Sequence, residues 1–298
     1  MQTARQLPLL PITDIVVNVA SVPMRSPFRY PGGKTWLVPR VREWLGSLPK
    51  RPREFFEPFA GGGIVSLTVG FEGFADHVTM VELDSQIAAV WRTIFSGEGE
   101  WLANRIVEFE PTRESVQAEL AKTNLSLKEQ AFVTILKNRT YHGGILAEGS
   151  SMIKYGENGR GIKSRWYAET LRKRILDISA VRERFTFIHG DGLEILRQNI
   201  SRPDAVFFID PPYTAGGKRA GRRLYTHCEL DHEELFRIAS ILAGDFLMTY
   251  DDAQELHRMA AKYGFDTESI SMKNTHHAKM TELLIGRCLD WVRPPLIR

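Results

Sequence analysis

The sequence predicts an α/β fold, and three observations carry that prediction. Short apolar runs alternate with segments of helical spacing. Glycine or proline turns close several of those runs. One run, Ala205 to Ile209, is apolar throughout, as in a strand of a parallel sheet covered on both faces. Ligands of such sheets bind at the carboxyl ends of the strands, which directs attention to the turns.

Taken in order, residues 1–25 read as an extension, because Pro8, Pro11 and Pro23 interrupt any long element. Glu54 to Phe59 reads as a strand running into Ala60-Gly61-Gly62-Gly63, followed by the apolar segment Ile64 to Val69. His77 to Leu83 reads as the second strand. Ser85 to Phe95 reads as a helix with Ile87, Val90, Trp91 and Ile94 at helical spacing. Further strands are expected at Phe185 to His189, Ala205 to Ile209, Phe246 to Tyr250 and Leu283 to Ile285. A helix is expected from Asp231 to Leu242. Residues 101–180 break this rhythm with helical pieces such as Glu129 to Lys137 and a polar, glycine-containing stretch from His142 to Gly161. They read as an insertion into a catalytic unit formed by 26–100 and 181–298.

The 298 residues are 43% hydrophobic and 25% charged, which excludes a disordered chain or a collagen-like repeat. Two cysteines without a Cys-x-x-Cys pair speak against a disulfide scaffold or structural zinc and suit a cytoplasmic setting. No run approaches the roughly 18 to 20 apolar residues of a membrane span. The net charge of +3 hides a segregation: Lys137 to Arg184 holds eleven basic and five acidic residues, so the remainder is net acidic.

Asp210-Pro211-Pro212-Tyr213 is the sharpest chemical signal. Two prolines restrict the backbone directly after a strand. A carboxylate, rigid carbonyls and an aromatic face there suit a planar base with an exocyclic amine. The same tetrapeptide also serves as a plain Asp-Pro turn, and its place after the strand favours the functional reading. Glu57-Pro58-Phe59-Ala60-Gly61-Gly62-Gly63 is a glycine loop between strand and helix. Gly61 and Gly63 fit a G-x-G-x-x-G pattern, whose last position is Ser66. Glu82, 19 residues beyond Gly63, stands where an acid holds ribose hydroxyls; a structural turn and a surface acid are the plainer alternative. Gly33-Lys34-Thr35 matches the end of a phosphate loop, but Phe28 replaces its first glycine and Pro31 removes an amide donor. Lys34 remains able to meet a ligand carboxylate. Lys218, Arg219, Arg222 and Arg223 on a glycine-rich stretch suit a clamp on a polyanion or a solvated loop.

In this order, Tyr30-Pro31-Gly32-Gly33-Lys34, the Glu57 to Gly63 loop and Asp210-Pro211-Pro212-Tyr213 resemble the Dam-type N6-adenine DNA methyltransferases. Asn138-Arg139-Thr140, Tyr225, Tyr250-Asp251 and Glu282 to Ile285 add weaker support. The resemblance implies a Rossmann-like methyltransferase sheet carrying a mostly helical target-recognition region at 101–180. It also implies S-adenosylmethionine as methyl donor and double-stranded DNA as partner, for a monomer or weak dimer. It places Tyr30, Lys34, Phe59, Gly61, Gly63, Glu82, Asp191 and Asp210 around the donor. Asp210 and the Pro211 carbonyl would accept hydrogens of a flipped adenine amine, with Pro212 fixing the turn and Tyr213 stacking on the base. Lys137, Arg139, Lys163, Arg165, Lys218, Arg219, Arg222 and Arg223 would hold phosphates. Two positions depart from the family: Glu82 stands where aspartate is usual, and Gly192 where an aromatic often covers the donor's adenine. Cytosine N4, an RNA adenine or a protein amide are the other acceptors this chemistry allows. A silent DNA-binding protein on the same fold is the reading outside enzymes.

Overall fold

Alternation along the strands divides the core into two layers. In the strand Ala205–Ile209, Val206 and Phe208 enter one hydrophobic cluster, and Phe207 and Ile209 enter the other. The computed structural model describes residues 22–30, 32–156, 159–212, 230–273 and 279–293. Within them, seven strands form one sheet: β1 (Glu54–Glu57), β2 (His77–Glu82), β3 (Phe185–His189), β4 (Ala205–Ile209), β5 (Asp245–Asp251), β6 (Asp266–Lys273) and β7 (Lys279–Gly286). Their order is β3-β2-β1-β4-β5-β7-β6. β3, β2, β1, β4 and β5 pair parallel with one another, whereas β7 runs antiparallel between β5 and β6. This is the Rossmann-like methyltransferase sheet that the resemblance implied.

One layer holds α1 (Val38–Ser47), α2 (Ile64–Glu72) and α3 (Ser85–Thr93) against Phe55, Met80, Phe208, Leu247 and Leu284. The other holds α8 (Gly192–Gln198), α9 (His232–Ile241) and α10 (Gln254–Lys262) against Phe56, Val81, Phe207, Phe246 and Ile285. Between α3 and β3 lie α4 (Gly99–Glu108), α5 (Arg113–Leu120), α6 (Leu127–Thr140) and α7 (Ala168–Ala180). α6 packs on α3 and α7 on α4. Trp91 and Ile94 share one buried cluster with Leu102, Ile106, Ile135, Leu136, Leu171, Ile175 and Ile178. The helical segment is therefore continuous with the core on that face of the sheet.

Acids set three helix starts. The carboxylates of Asp84, Asp191 and Asp231 accept backbone N–H groups at the first turns of α3, α8 and α9, each cap contributing about 1 kcal/mol. Asp84 and Asp191 thereby fix the two helices that rise from the carboxyl ends of β2 and β3. β1 stops at Glu57, two residues before the expected end, because Pro58 carries no donor for a further ladder bond. β6 was not expected: its Asp266-Thr267-Glu268-Ser269 start is a polar edge strand without apolar signal. β1 and β4 lie side by side with their chains departing in opposite directions, so the crevice at their carboxyl ends is the switch point where such sheets bind ligands. Among the described residues no helix is long and apolar enough to cross a membrane.

Candidate active site

The crevice opens into a cavity of about 650 Å³, lined by Tyr30, Lys34, Phe59, Gly63, Glu82, Asp191 and Asp210 among others. These residues come from five separate stretches of sequence, and the fold brings them to one wall-to-wall space. Pro211 and Pro212 line it too. Tyr213 and the basic residues Lys218, Arg219, Arg222 and Arg223 lie outside the described residues, as do Tyr225 and most of the N-terminal extension.

The glycine loop is shaped by its backbone. Gly61 and Gly63 have φ of 48° and 63°, the left-handed region that side chains avoid. A Cβ on Gly63 would stand 2.5 Å from Met80 Cε and 3.0 Å from the Trp91 ring, and one on Gly61 would stand 2.6 Å from the Tyr30 ring. Tyr30 is therefore packed over the loop. Gly61 donates its N–H to Glu82 Oε2 (2.8 Å) and accepts from Trp91 Nε1 (2.9 Å), so it braces the loop and lies behind the cavity wall. Glu82 Oε1 also accepts the Asp84 N–H (2.8 Å). Burial raises the Glu82 carboxyl to about 7, against the opposing pull of these amide bonds. Glu57, buried beside the loop, accepts the Ser66 N–H at 2.9 Å. Burial pushes it up to about 8, with the negative charges of Asp210 and Glu82 adding to the effect.

Asp210 follows directly on the end of β4, where Thr249 and Lys34 meet its carboxylate. Thr249 on β5 donates its hydroxyl to Asp210 Oδ1 at 2.8 Å, and Lys34 Nζ lies 3.0 Å from the same oxygen. Lys34 Nζ also lies 2.9 Å from Glu282 Oε1 on β7 and donates to the Gly32 carbonyl at 3.1 Å. Burial alone would depress the Lys34 ammonium, but the two carboxylates more than offset it and hold its pKa above the ordinary lysine range. The resemblance assigns Lys34 to a ligand carboxylate. In the structure its ammonium ties Asp210 to Glu282, and Lys34 also lines the cavity.

Asp191 caps α8 through one carboxylate oxygen (2.8 Å to the Leu193 N–H) while facing the cavity. The departure at Gly192 has a steric reason. A Cβ there would collide with the Pro58 carbonyl and sit 3.0 Å from Phe59 Cε1. Phe59 thus occupies the space beside Gly192 and supplies an aromatic surface on that wall.

The basic residues of the helical segment divide. Lys163 is exposed and paired with Glu110. Lys137 is half-buried and donates to the Leu146 carbonyl at 2.6 Å, and burial lowers its pKa. Arg165 is partly buried on the short turn Gly161–Arg165. Arg139 is 4% exposed, and its guanidinium donates to the Pro27 carbonyl. With Arg29 and Arg174 it lines the cavity, and burial together with those two neighbours lowers its pKa. Its Nε has no partner among the described residues.

Four contributors escaped the sequence reading of roles. Thr249 and Arg174 carry no motif. Asn138 clasps Arg29 through both its N–H and its carbonyl (2.9 Å each), which ties α6 to the segment leading to Tyr30. Glu282 had a visible signal, an acid at the head of the apolar Leu283-Leu284-Ile285.

Residues 30–80 match the family model of D12 class N6 adenine-specific DNA methyltransferases, so the resemblance holds over that stretch. No curated protein matches the chain. Among solved structures, the chain is similar to the rRNA methyltransferase aviRa from Streptomyces viridochromogenes. The two share 12% identity over 91% of this chain and 93% of that one, with TM-score 0.40. It is also similar to P. horikoshii TYW2 in complex with MeSAdo, at 12% identity over 84% of this chain and 62% of that one, with TM-score 0.32. The likeness is loose, and the identity of the sheet rests on its own strand order. Family match and sheet together make the chain a methyltransferase with S-adenosylmethionine as donor. The walls fit that donor. Glu82 and Asp191 offer carboxylate acceptors for hydroxyl and amine hydrogens, and Phe59 offers an apolar face. A volume of about 650 Å³ falls within the roughly 300–1,000 Å³ of small-molecule sites.

Proposed function

We propose that this S-adenosylmethionine-dependent methyltransferase acts on the N6 amine of adenine in double-stranded DNA, at a specific sequence and on a base flipped out of the duplex. The observation that carries the reading is Asp210, fixed at the switch-point crevice by Thr249 and Lys34 and followed directly by two prolines. The match to the D12 class over residues 30–80 supports adenine and DNA over other acceptors. Arg29, Arg139 and Arg174 on the facing wall suit an anionic substrate.

When bound, S-adenosylmethionine supplies the methyl group as an electrophile on sulfur, the C–S bonding pair staying with sulfur as the methyl leaves. Glu82 and Asp191 would hold the nucleoside end of the donor, with Phe59 offering it an apolar face. An aromatic amine is a weak nucleophile, because its lone pair is delocalised into the ring. Asp210 and the Pro211 carbonyl accept the two amine hydrogens, which frees the nitrogen lone pair to form the new N–C bond. One amine proton then leaves through Asp210 to solvent. Orientation and preorganised charge supply the rate. An adenine stacked in a duplex cannot enter the cavity, so the base is extruded, and the helical segment 101–180 reads the surrounding sequence.

The test is transfer of labelled methyl from S-adenosylmethionine to matched duplex DNA, single-stranded DNA and RNA of mixed sequence. Label in duplex DNA at a defined sequence is the expected result. Label only in RNA would replace DNA with RNA as substrate. Donor binding without transfer to any of them would leave a silent binding protein.

A further inference from the structure

Among the described residues, Asn124 and Tyr167 are the non-glycines with positive φ, and asparagine enters that region far more readily than a bulky aromatic. Tyr167 holds φ 27° and ψ 54° directly before α7, a strained position for its side chain. The start of the helix gains nothing from a tyrosine there, since a short polar residue would cap the first turn and this side chain does not. The backbone turn instead sends two neighbouring rings apart. Trp166 is buried edge-on to Phe109, with ring centres 5.9 Å apart, whereas Tyr167 is 48% exposed and lines the cavity.

The cavity has an acidic and a basic wall. The carboxyl ends of β2, β3 and β4 lead to Glu82, Asp191 and Asp210, while α6 and α7 supply Arg139 and Arg174. Arg174 donates to the Ser26 carbonyl at 3.0 Å and Arg139 to the adjacent Pro27 carbonyl, so both guanidiniums are anchored on one short segment. Tyr167 belongs to this wall, its hydroxyl near enough to Arg139 to act on that charge. The donor's positive sulfonium is drawn to the acidic wall. Anchored guanidiniums beside an open aromatic ring suit a nucleotide of the acceptor, with a base stacked on the ring.

We propose that Tyr167 is a substrate-contacting residue, whose ring stacks on a base of the target strand beside the two anchored arginines. The inference rests on the DNA reading above. It accounts for a strained tyrosine at a position that glycine would fill without strain.

Full-length Tyr167→Gly and Tyr167→Phe test it on duplex DNA carrying the methylated sequence. Tyr167→Gly removes the ring and the backbone strain together. It should raise KM for DNA roughly fivefold to a hundredfold, the range expected for one lost stacking contact. Its affinity for S-adenosylmethionine, followed by calorimetry, should stay near that of the wild type, and its thermal midpoint should not fall. Tyr167→Phe keeps the ring and should keep KM for DNA close to the wild-type value. An unchanged KM for DNA in Tyr167→Gly would overturn the proposal. So would an equal loss of donor affinity, or a variant that no longer folds, since either would give the ring a different task.

A second readout needs no turnover. In wild-type protein labelled with 3-fluorotyrosine, the Tyr167 fluorine signal is the one missing from Tyr167→Phe. It should shift when duplex DNA is added to the donor-bound protein and stay in place when S-adenosylmethionine is added alone. A signal unmoved by DNA in a protein that methylates DNA adenine would overturn the role of Tyr167 and leave the functional reading standing. A signal that shifts with DNA in a protein that methylates no adenine would overturn that reading and keep Tyr167 as a nucleic-acid contact.

Discussion

The crevice and the helical segment use charge in opposite ways. At the crevice, acids stand at strand ends, where turns of fixed backbone aim them into the cavity: Asp210 after β4, Glu82 at the end of β2 and Asp191 after β3. In the helical segment, the basic residues that make it positive along the sequence are dispersed by packing. Lys163 faces solvent, whereas Arg139 is buried against Pro27 at the inner wall. A strand end specifies where its side chain goes. A helix leaves that to whatever packs on it.

The largest expected effect belongs to the crevice. Asp210→Ala should reduce methyl transfer on the order of a thousandfold or more while donor binding, followed by calorimetry, stays close to that of the wild type. Wild-type-like turnover would remove Asp210 from the reaction. Next comes the loop. Gly63→Val should destabilise the fold by about 2–4 kcal/mol, because a side chain at φ 63° is strained and would strike Met80 and Trp91. Unfolding in urea measures this, and an unchanged midpoint would contradict the steric account.

The comparison between regions is sharpened within the helical segment. Arg139→Ala should cost about 1–3 kcal/mol, since it removes a buried guanidinium that holds the Pro27 carbonyl. Lys163→Ala should cost no more than about 0.5 kcal/mol, because its pair with Glu110 is exposed. Equal costs would show that the burial of Arg139 is not what distinguishes the two.

The smallest effect is one of pH. Glu57 and Glu82 ordinarily ionise near 4.5 but are pushed up to about 8 and about 7 in the fold. Between those values the folded protein holds protons that the unfolded chain has released, so both groups lower stability as pH rises. Thermal midpoints of the unliganded protein from pH 5.5 to 8.5 should therefore fall less steeply in Glu57→Gln than in the wild type. Parallel curves would sink the assignment for Glu57.

Much of the sheet was legible because proline and glycine punctuate it, as at Pro58, Gly63 and Pro211, and because β4 is apolar at every position. β6 was not, since an edge strand of alternating polar residues resembles a loop. The site followed the same division. Tyr30, Phe59, Asp191 and Asp210 sit in turns, and Glu82 at a strand end, where geometry is local, and the cavity holds all five. The pairing of Lys34 with Glu282 spans 248 positions and depends on β7 inserting antiparallel between β5 and β6, which no local pattern announces. The burial of Arg139 depends likewise on the Phe28 segment lying across α6, where Asn138 clasps Arg29.

The central claim is that this crevice methylates the exocyclic amine of adenine in DNA. Its most direct test is nucleoside analysis by mass spectrometry of duplex DNA incubated with the protein and S-adenosylmethionine bearing a labelled methyl. Label recovered as N6-methyladenine with the wild type, and absent with Asp210→Ala, is the predicted result. Label recovered on cytosine, or N6-methyladenine formed equally by Asp210→Ala, would contradict it.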